Sequence, residues 1–102
     1  MATPESKVKA KVKALLKHHE AYQFWPVQMG YGAATLDCLG CHAGRFFAVE
    51  TKAPGKKLTV RQEDTASKMR EAQGVVFVVG EKLLDSGTYS GMTELEKWLK
   101  NV

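Results

Sequence analysis

Asp37, Glu50 and Lys52 are the residues whose types and spacing could do chemistry together. Twelve residues separate the two carboxylates, and a tight hairpin closes that gap. If Ala43-Gly44 forms the two-residue turn, His42 faces Arg45, Leu39 faces Ala48, and Asp37 faces Glu50. Directly opposed residues in a sheet have Cβ atoms about 5 Å apart, so two carboxylates there repel each other. At an effective dielectric of 20, charges roughly 4 Å apart interact with about 4 kcal/mol. The neighbouring Leu39–Ala48 pair is apolar and offers little solvent relief. A divalent cation would remove the conflict, and hard oxygen donors are what Mg²⁺ or Mn²⁺ prefers. Lys52 shares the face of Glu50 and can hold a nucleophilic water or stabilise charge developing on a phosphate. The competing reading is a salt bridge on a solvated sheet face, since Glu-x-Lys alone is a common triplet.

The elements that must position these groups are legible around the hairpin, whose arms run from Leu36 to His42 and from Arg45 to Lys52. A helix opens the chain, with Thr3 as N-cap, Pro4 in the first helical position and Glu5 in the first turn. Val8, Val12, Leu15, Leu16 and His19 form its apolar stripe, while Lys7, Lys11, Lys13 and Lys17 point away. Glu5 falls on the same stripe. It reads either as a dipole partner of the first turn or as a third acid brought to the edge of the hairpin's acidic face. Tyr22 to Gln28 reads as a strand, with Pro26 marking an edge or an irregularity. Met29 to Thr35 is a glycine-containing connection, and its Gly30-x-Gly32 lacks the rest of a dinucleotide fingerprint. After the hairpin come a loop with adjacent Lys56 and Lys57 and a helix over Thr59 to Gln73. Thr59 and Gln62 have capping-box spacing, and Gly74 suits the C′ position. Val75 to Val79 is a continuous apolar run that suits a central strand covered on both faces. A last helix begins near Thr93, with Thr93 and Glu96 as a second capping box. The order is α-β-β-β-α-β-α, an α/β arrangement with a four-stranded mixed sheet flanked by helices. The Val75 strand is expected parallel to a hairpin arm.

Length and composition set outer bounds. The 102 residues suit a single domain. A net charge of +4 and a pI near 9.1 favour an acidic partner, nucleic acid first. No apolar run reaches membrane-spanning length. The N-terminus has no signal-peptide core, which points to a reducing, cytoplasmic compartment.

Cys38-Leu-Gly-Cys41-His42 matches the pattern for covalent c-type haem attachment. A strand would put its two cysteines on opposite faces, and no export signal is visible. Zinc would need a second ligand pair, for which only His18, His19 and His42 remain. Packing is the expected role of both cysteines.

The stretch GYGAATLDCLGCHAGRFFAVETKAPGKKLTVRQ resembles the PD-(D/E)XK nuclease superfamily, and most of all its compact VRR-NUC group, which is similar to Holliday junction resolvases. The matching features are Gly32-x-x-x-x-Asp37, Phe47-x-x-Glu50-x-Lys52, Leu58-Thr59, Gln62, and Gly74 before the apolar strand. Leu36 stands before Asp37 in place of proline. The resemblance covers about Met29 to Val79, with Glu5 in addition. It implies a restriction-endonuclease-like core, αβββαβ with a C-terminal helix, and one VRR-NUC-like domain over residues 1–102. It implies a deoxyribonuclease hydrolysing phosphodiester bonds with Mg²⁺ or Mn²⁺. Asp37, Glu50 and the Thr51 carbonyl would hold the metal, Lys52 would position water, Glu5 would match the helix-borne acid, and Gln62 would brace the site. Charge and position, not motif, single out Lys56, Lys57 and Arg61 for DNA phosphates. Small stand-alone members resemble the resolvases in forming homodimers that cut branched DNA, such as four-way junctions or flaps. Tyr22, Phe24 and Trp25 offer an aromatic interface for such a dimer. The small stand-alone architecture suggests a bacterial or phage protein. The alternative function is a non-catalytic nucleic-acid-binding module retaining the fold, with haem or metal binding by Cys38, Cys41 and His42 as a remoter third.

Overall fold

The structure, a computed structural model, describes residues 2–27 and 34–102. Residues 29–33 of the expected Met29–Thr35 connection, and with them Gly32 of the motif, lie outside the described residues. So does Gln28, and the strand expected over Tyr22 to Gln28 is shorter, ending at Phe24 before Trp25 and Pro26, where proline lacks a ladder donor. In chain order the elements are α1 (Pro4–His18), β1 (Tyr22–Phe24), β2 (Cys38–His42), β3 (Arg45–Thr51), α2 (Val60–Glu71), β4 (Val75–Val79) and α3 (Met92–Asn101). α1 starts as expected: the Thr3 hydroxyl accepts the Ser6 N–H at 3.1 Å, with Pro4 and Glu5 in the first turn. Val8, Val12 and Leu16 are fully buried, as their spacing requires of one helical face.

The sheet order is β1-β2-β3-β4. β2 and β3 pair antiparallel from Cys38–Val49 to His42–Arg45. Ala43 and Gly44 have φ values of 51° and 78°, the two positive angles that a type I′ turn requires. β1 pairs antiparallel with β2, and β4 pairs parallel with β3 after the α2 crossover. Strand alternation sends Cys38, Phe47 and Val49 into a core with α1 and α3. It sends Ala48 and Val76 into a smaller core with Leu36 and Ala66 of α2.

Three further expectations are corrected. First, β4 is an edge strand and not a central one. Its apolar run reports cover on both faces, by Phe77 and Val79 on the α1/α3 side and Val76 on the α2 side. The Arg70 guanidinium donates to the Val76 carbonyl at 3.2 Å. Second, the left-handed residue closing α2 is Gln73, with φ of 75°, and not Gly74. Gly74 provides space instead, since a Cβ there would sit 2.9 Å from the Met69 carbonyl oxygen. Third, α3 is capped by Gly91 with φ of 87° and no side-chain hydrogen bond, so Thr93 and Glu96 form no capping box. Gly91 lies against the Val78 carbonyl, where any side chain would collide. This contact starts the helix before Thr93. Between β4 and α3 the chain folds back on itself, with a bridge between Leu83 and Tyr89.

Candidate active site

Asp37, Glu50 and Lys52 meet at the end of the hairpin remote from its turn. The β2 and β3 strands are shorter than the expected arms, since Asp37 lies in a bend just before β2 and Lys52 just after β3. The two carboxylates are therefore neighbours without being a ladder pair. The Asp37 N–H donates to Glu50 Oε1 at 3.0 Å. Asp37 Oδ2 accepts the Thr51 N–H at 3.0 Å and the Thr51 hydroxyl at 2.7 Å. The bend gives each carboxylate a hydrogen-bond donor, which eases the repulsion expected of directly opposed acids. Lys52 Nζ lies 3.8 Å from Glu50 Oε2. The Lys52 N–H donates to the Val79 carbonyl at 2.8 Å and extends the parallel ladder past the strands. The cluster thus sits at the carboxyl ends of parallel β3 and β4, where open α/β sheets commonly bind ligands.

Glu50 is only 2% exposed and Thr51 is fully buried. Burial pushes the Glu50 carboxyl up to about 7, and the Asp37 charge pushes the same way. The Asp37 N–H and the Lys52 ammonium oppose this, and the Glu5 charge adds a smaller upward push. A nearby cation would favour the ionised form of such a buried carboxyl beside a second acid. Mg²⁺ typically takes one or two carboxylates and keeps several waters. Asp37 and Glu50 match that donor chemistry. Among the described residues no group of three or more His, Cys, Asp or Glu could hold a metal ion.

The other expected site residues divide. Glu5 is half-buried, and its carboxylate pairs with Lys9 at 3.3 Å one turn along α1. Gln62 Oε1 accepts the Thr59 N–H at 3.0 Å, and the Gln62 N–H donates to the Thr59 hydroxyl, completing the expected capping box. Lys56 and Lys57 line a cleft with Glu81 and Lys82 beyond Lys52. Arg61 lines a different groove, along α2 with Asp64, Thr65 and Lys68.

The role of Thr51 differs from a carbonyl ligand alone, because its N–H and hydroxyl both hold Asp37. The signal for this was the adjacency of Thr51 to Glu50, but the bend that turns Asp37 toward it left no sequence pattern. Cys38 is buried in the core and Cys41 is exposed, both as free thiols. His42 Nε2 lies 3.0 Å from the Leu99 carbonyl oxygen, and its ring packs near Trp98. The three residues of the haem-like pattern thus have separate surroundings.

Comparison with protein-family models, curated proteins and solved structures finds no match to this chain. No helix among the described residues is long and apolar enough to cross a membrane.

Proposed function

We propose that this chain is a metal-dependent DNA endonuclease with Asp37, Glu50 and Lys52 as its catalytic set. The carrying observation is the buried Glu50 carboxyl, pushed up to about 7 and held between the Asp37 N–H and the Lys52 ammonium. The resemblance of the sequence to the PD-(D/E)XK nucleases supports the same reading, including a restriction-endonuclease-like core. Asp37 and Glu50 would hold Mg²⁺ or Mn²⁺, with the Thr51 carbonyl and solvent completing the shell and Glu5 at its margin. When bound, such a cation polarises a phosphoryl oxygen and lowers the pKa of water. Thr51 fixes the Asp37 carboxylate through two hydrogen bonds. Lys52 donates from Nζ to the attacking water or to the phosphoryl oxygen on which charge grows. Its backbone is pinned after β3 by the Val79 carbonyl, and its ammonium lies beside Glu50.

The substrate class in this proposal is branched DNA, cut by a homodimer. Tyr22 is 67% exposed, Phe24 52% and Phe46 45%. The register puts Tyr22, Cys41 and Phe46 in one row on the uncovered part of the α2 face. Trp25 leaves this group: it packs on the α1-side core and donates to Gln23 Oε1 at 2.8 Å. A two-fold axis beside this face would supply two equivalent sites for a two-fold junction.

Incubation of linear, flapped and four-way DNA with Mg²⁺, Mn²⁺ or EDTA tests the function. Cleavage with either metal and none in EDTA is expected, fastest on a branched substrate. Binding without cleavage in every metal would instead mark a non-catalytic nucleic-acid-binding module.

A further inference from the structure

We propose that the cleft beyond Lys52 is a phosphate-binding subsite for the DNA strand leaving the catalytic set, with Lys82 as a contact residue beside Lys56 and Lys57. This rests on the nuclease reading for the identity of the strand, but the cleft stands on its own geometry. It has a volume of about 420 Å³ and lies between the turn at Pro54-Gly55 and the segment from Glu81 to Leu83. The Gly55 N–H donates to the Glu81 carbonyl at 2.8 Å, so the two walls are joined at their base. Lys82 is fixed at its backbone, where its N–H donates to the Ser90 hydroxyl at 3.0 Å and its carbonyl accepts the Ser90 N–H at 2.9 Å.

The charge arrangement is the second observation. The ion pairs among the described residues are Lys9–Glu5, Lys52–Glu50, Lys68–Asp64 and Lys100–Glu96. Three of these are helical neighbours one turn apart, in which each lysine has its own acid. Lys56, Lys57 and Lys82 have none, although Glu81 lines the same cleft. Three ammonium groups against one carboxylate leave a concave surface of net positive charge, which focuses potential on an anion. A singly charged phosphodiester matches that excess, and exposed Leu83 at the rim offers an apolar surface to a sugar or base. The cleft begins two residues after Lys52, a reach of at most about 7 Å. That is about two steps at the 3.4 Å rise of one DNA strand. A phosphate within two steps of the reacting one is therefore within reach of the cleft.

The test measures binding of a single-stranded and a duplex DNA oligonucleotide in EDTA across a range of salt, for wild type, Lys82→Ala and Lys100→Ala. Lys82 is exposed, and the alanine keeps both backbone hydrogen bonds. Lys100 belongs to α3, whose end meets His42 at the opposite end of the hairpin, and serves as the charge-matched control. Lys82→Ala should weaken binding about fivefold and lower the salt slope by about 0.7 to 0.9, one phosphate contact, while Lys100→Ala matches wild type. If Lys82→Ala equals wild type in both affinity and slope, or if both lysine variants lose equally, the subsite is overturned and cleavage of DNA can still stand. If wild type binds no DNA, the subsite is overturned whatever the cleavage assay gives. Lys82-dependent binding by a protein that cuts nothing would keep the subsite and remove the nuclease.

Discussion

Glu50 carries the site's electrostatic cost, and that cost has a sign. Its carboxyl is pushed up to about 7 in the folded chain, against an ordinary value of 4.5. Below about pH 4.5 the group is protonated in both states and costs nothing. Between there and about pH 7 the unfolded chain ionises while the folded chain keeps its proton, so stability falls as pH rises. Above that window the loss is complete, at about 3 kcal/mol. Melting in EDTA should therefore show wild type losing roughly 10 °C relative to Glu50→Gln between pH 5 and 8. Excess Mg²⁺ or Mn²⁺ should recover much of that loss at pH 8 and little at pH 5, because the cation binds the ionised acid. Parallel pH profiles for the two proteins would show that Glu50 ionises without penalty. The Asp37–Glu50–Lys52 set was legible residue by residue, from charge type and from the turn that pairs the arms. The bend at Asp37 and the double hydrogen bond to Thr51 were not, because they depend on contacts between the ends of the two arms that strand alternation does not encode.

Among the elements, the hairpin was the most legible, since a two-residue turn and strict alternation leave one register. The first helix followed from Thr3, Pro4 and its apolar stripe. The edge position of β4 was hidden, because an apolar run records cover on both faces and says nothing of how many strands flank it. The start of α3 was hidden too, because the Gly91 approach to Val78 is a tertiary contact that local capping patterns do not contain. Gln62 is where element and site compete. Its carbonyl oxygen is committed to the α2 cap. Gln62→Ala should cost about 1 kcal/mol of stability, read by denaturant melts. Gln62→Glu keeps a capping-box side chain and should keep that stability. Cleavage by Gln62→Glu at the wild-type rate would confine this residue to the cap, whereas lost cleavage in an equally stable protein would return it to the site.

On the scale of the whole molecule, the sheet is covered unevenly. α1 and α3 share one face, and α2 covers only part of the other. Tyr22 and Phe24 on the edge strand β1 and Phe46 on β3 are left exposed. The proposed homodimer would bury this aromatic surface. Sedimentation equilibrium at micromolar protein should give a dimer, and the paired change Tyr22→Ser with Phe46→Ser should give a folded monomer. A wild-type monomer that still cuts four-way DNA at the same concentration would take the dimer out of the mechanism and leave the catalytic set in place.

The most direct measurement compares DNA cleavage by wild type and Lys52→Ala in the same Mn²⁺ buffer. The substitution removes an ammonium group but neither carboxylate, so fold and DNA binding should persist, as circular dichroism and anisotropy on the same samples would show. A catalytic Lys52 predicts that cleavage falls by about 10³-fold or more. Cleavage by Lys52→Ala at the wild-type rate would contradict it.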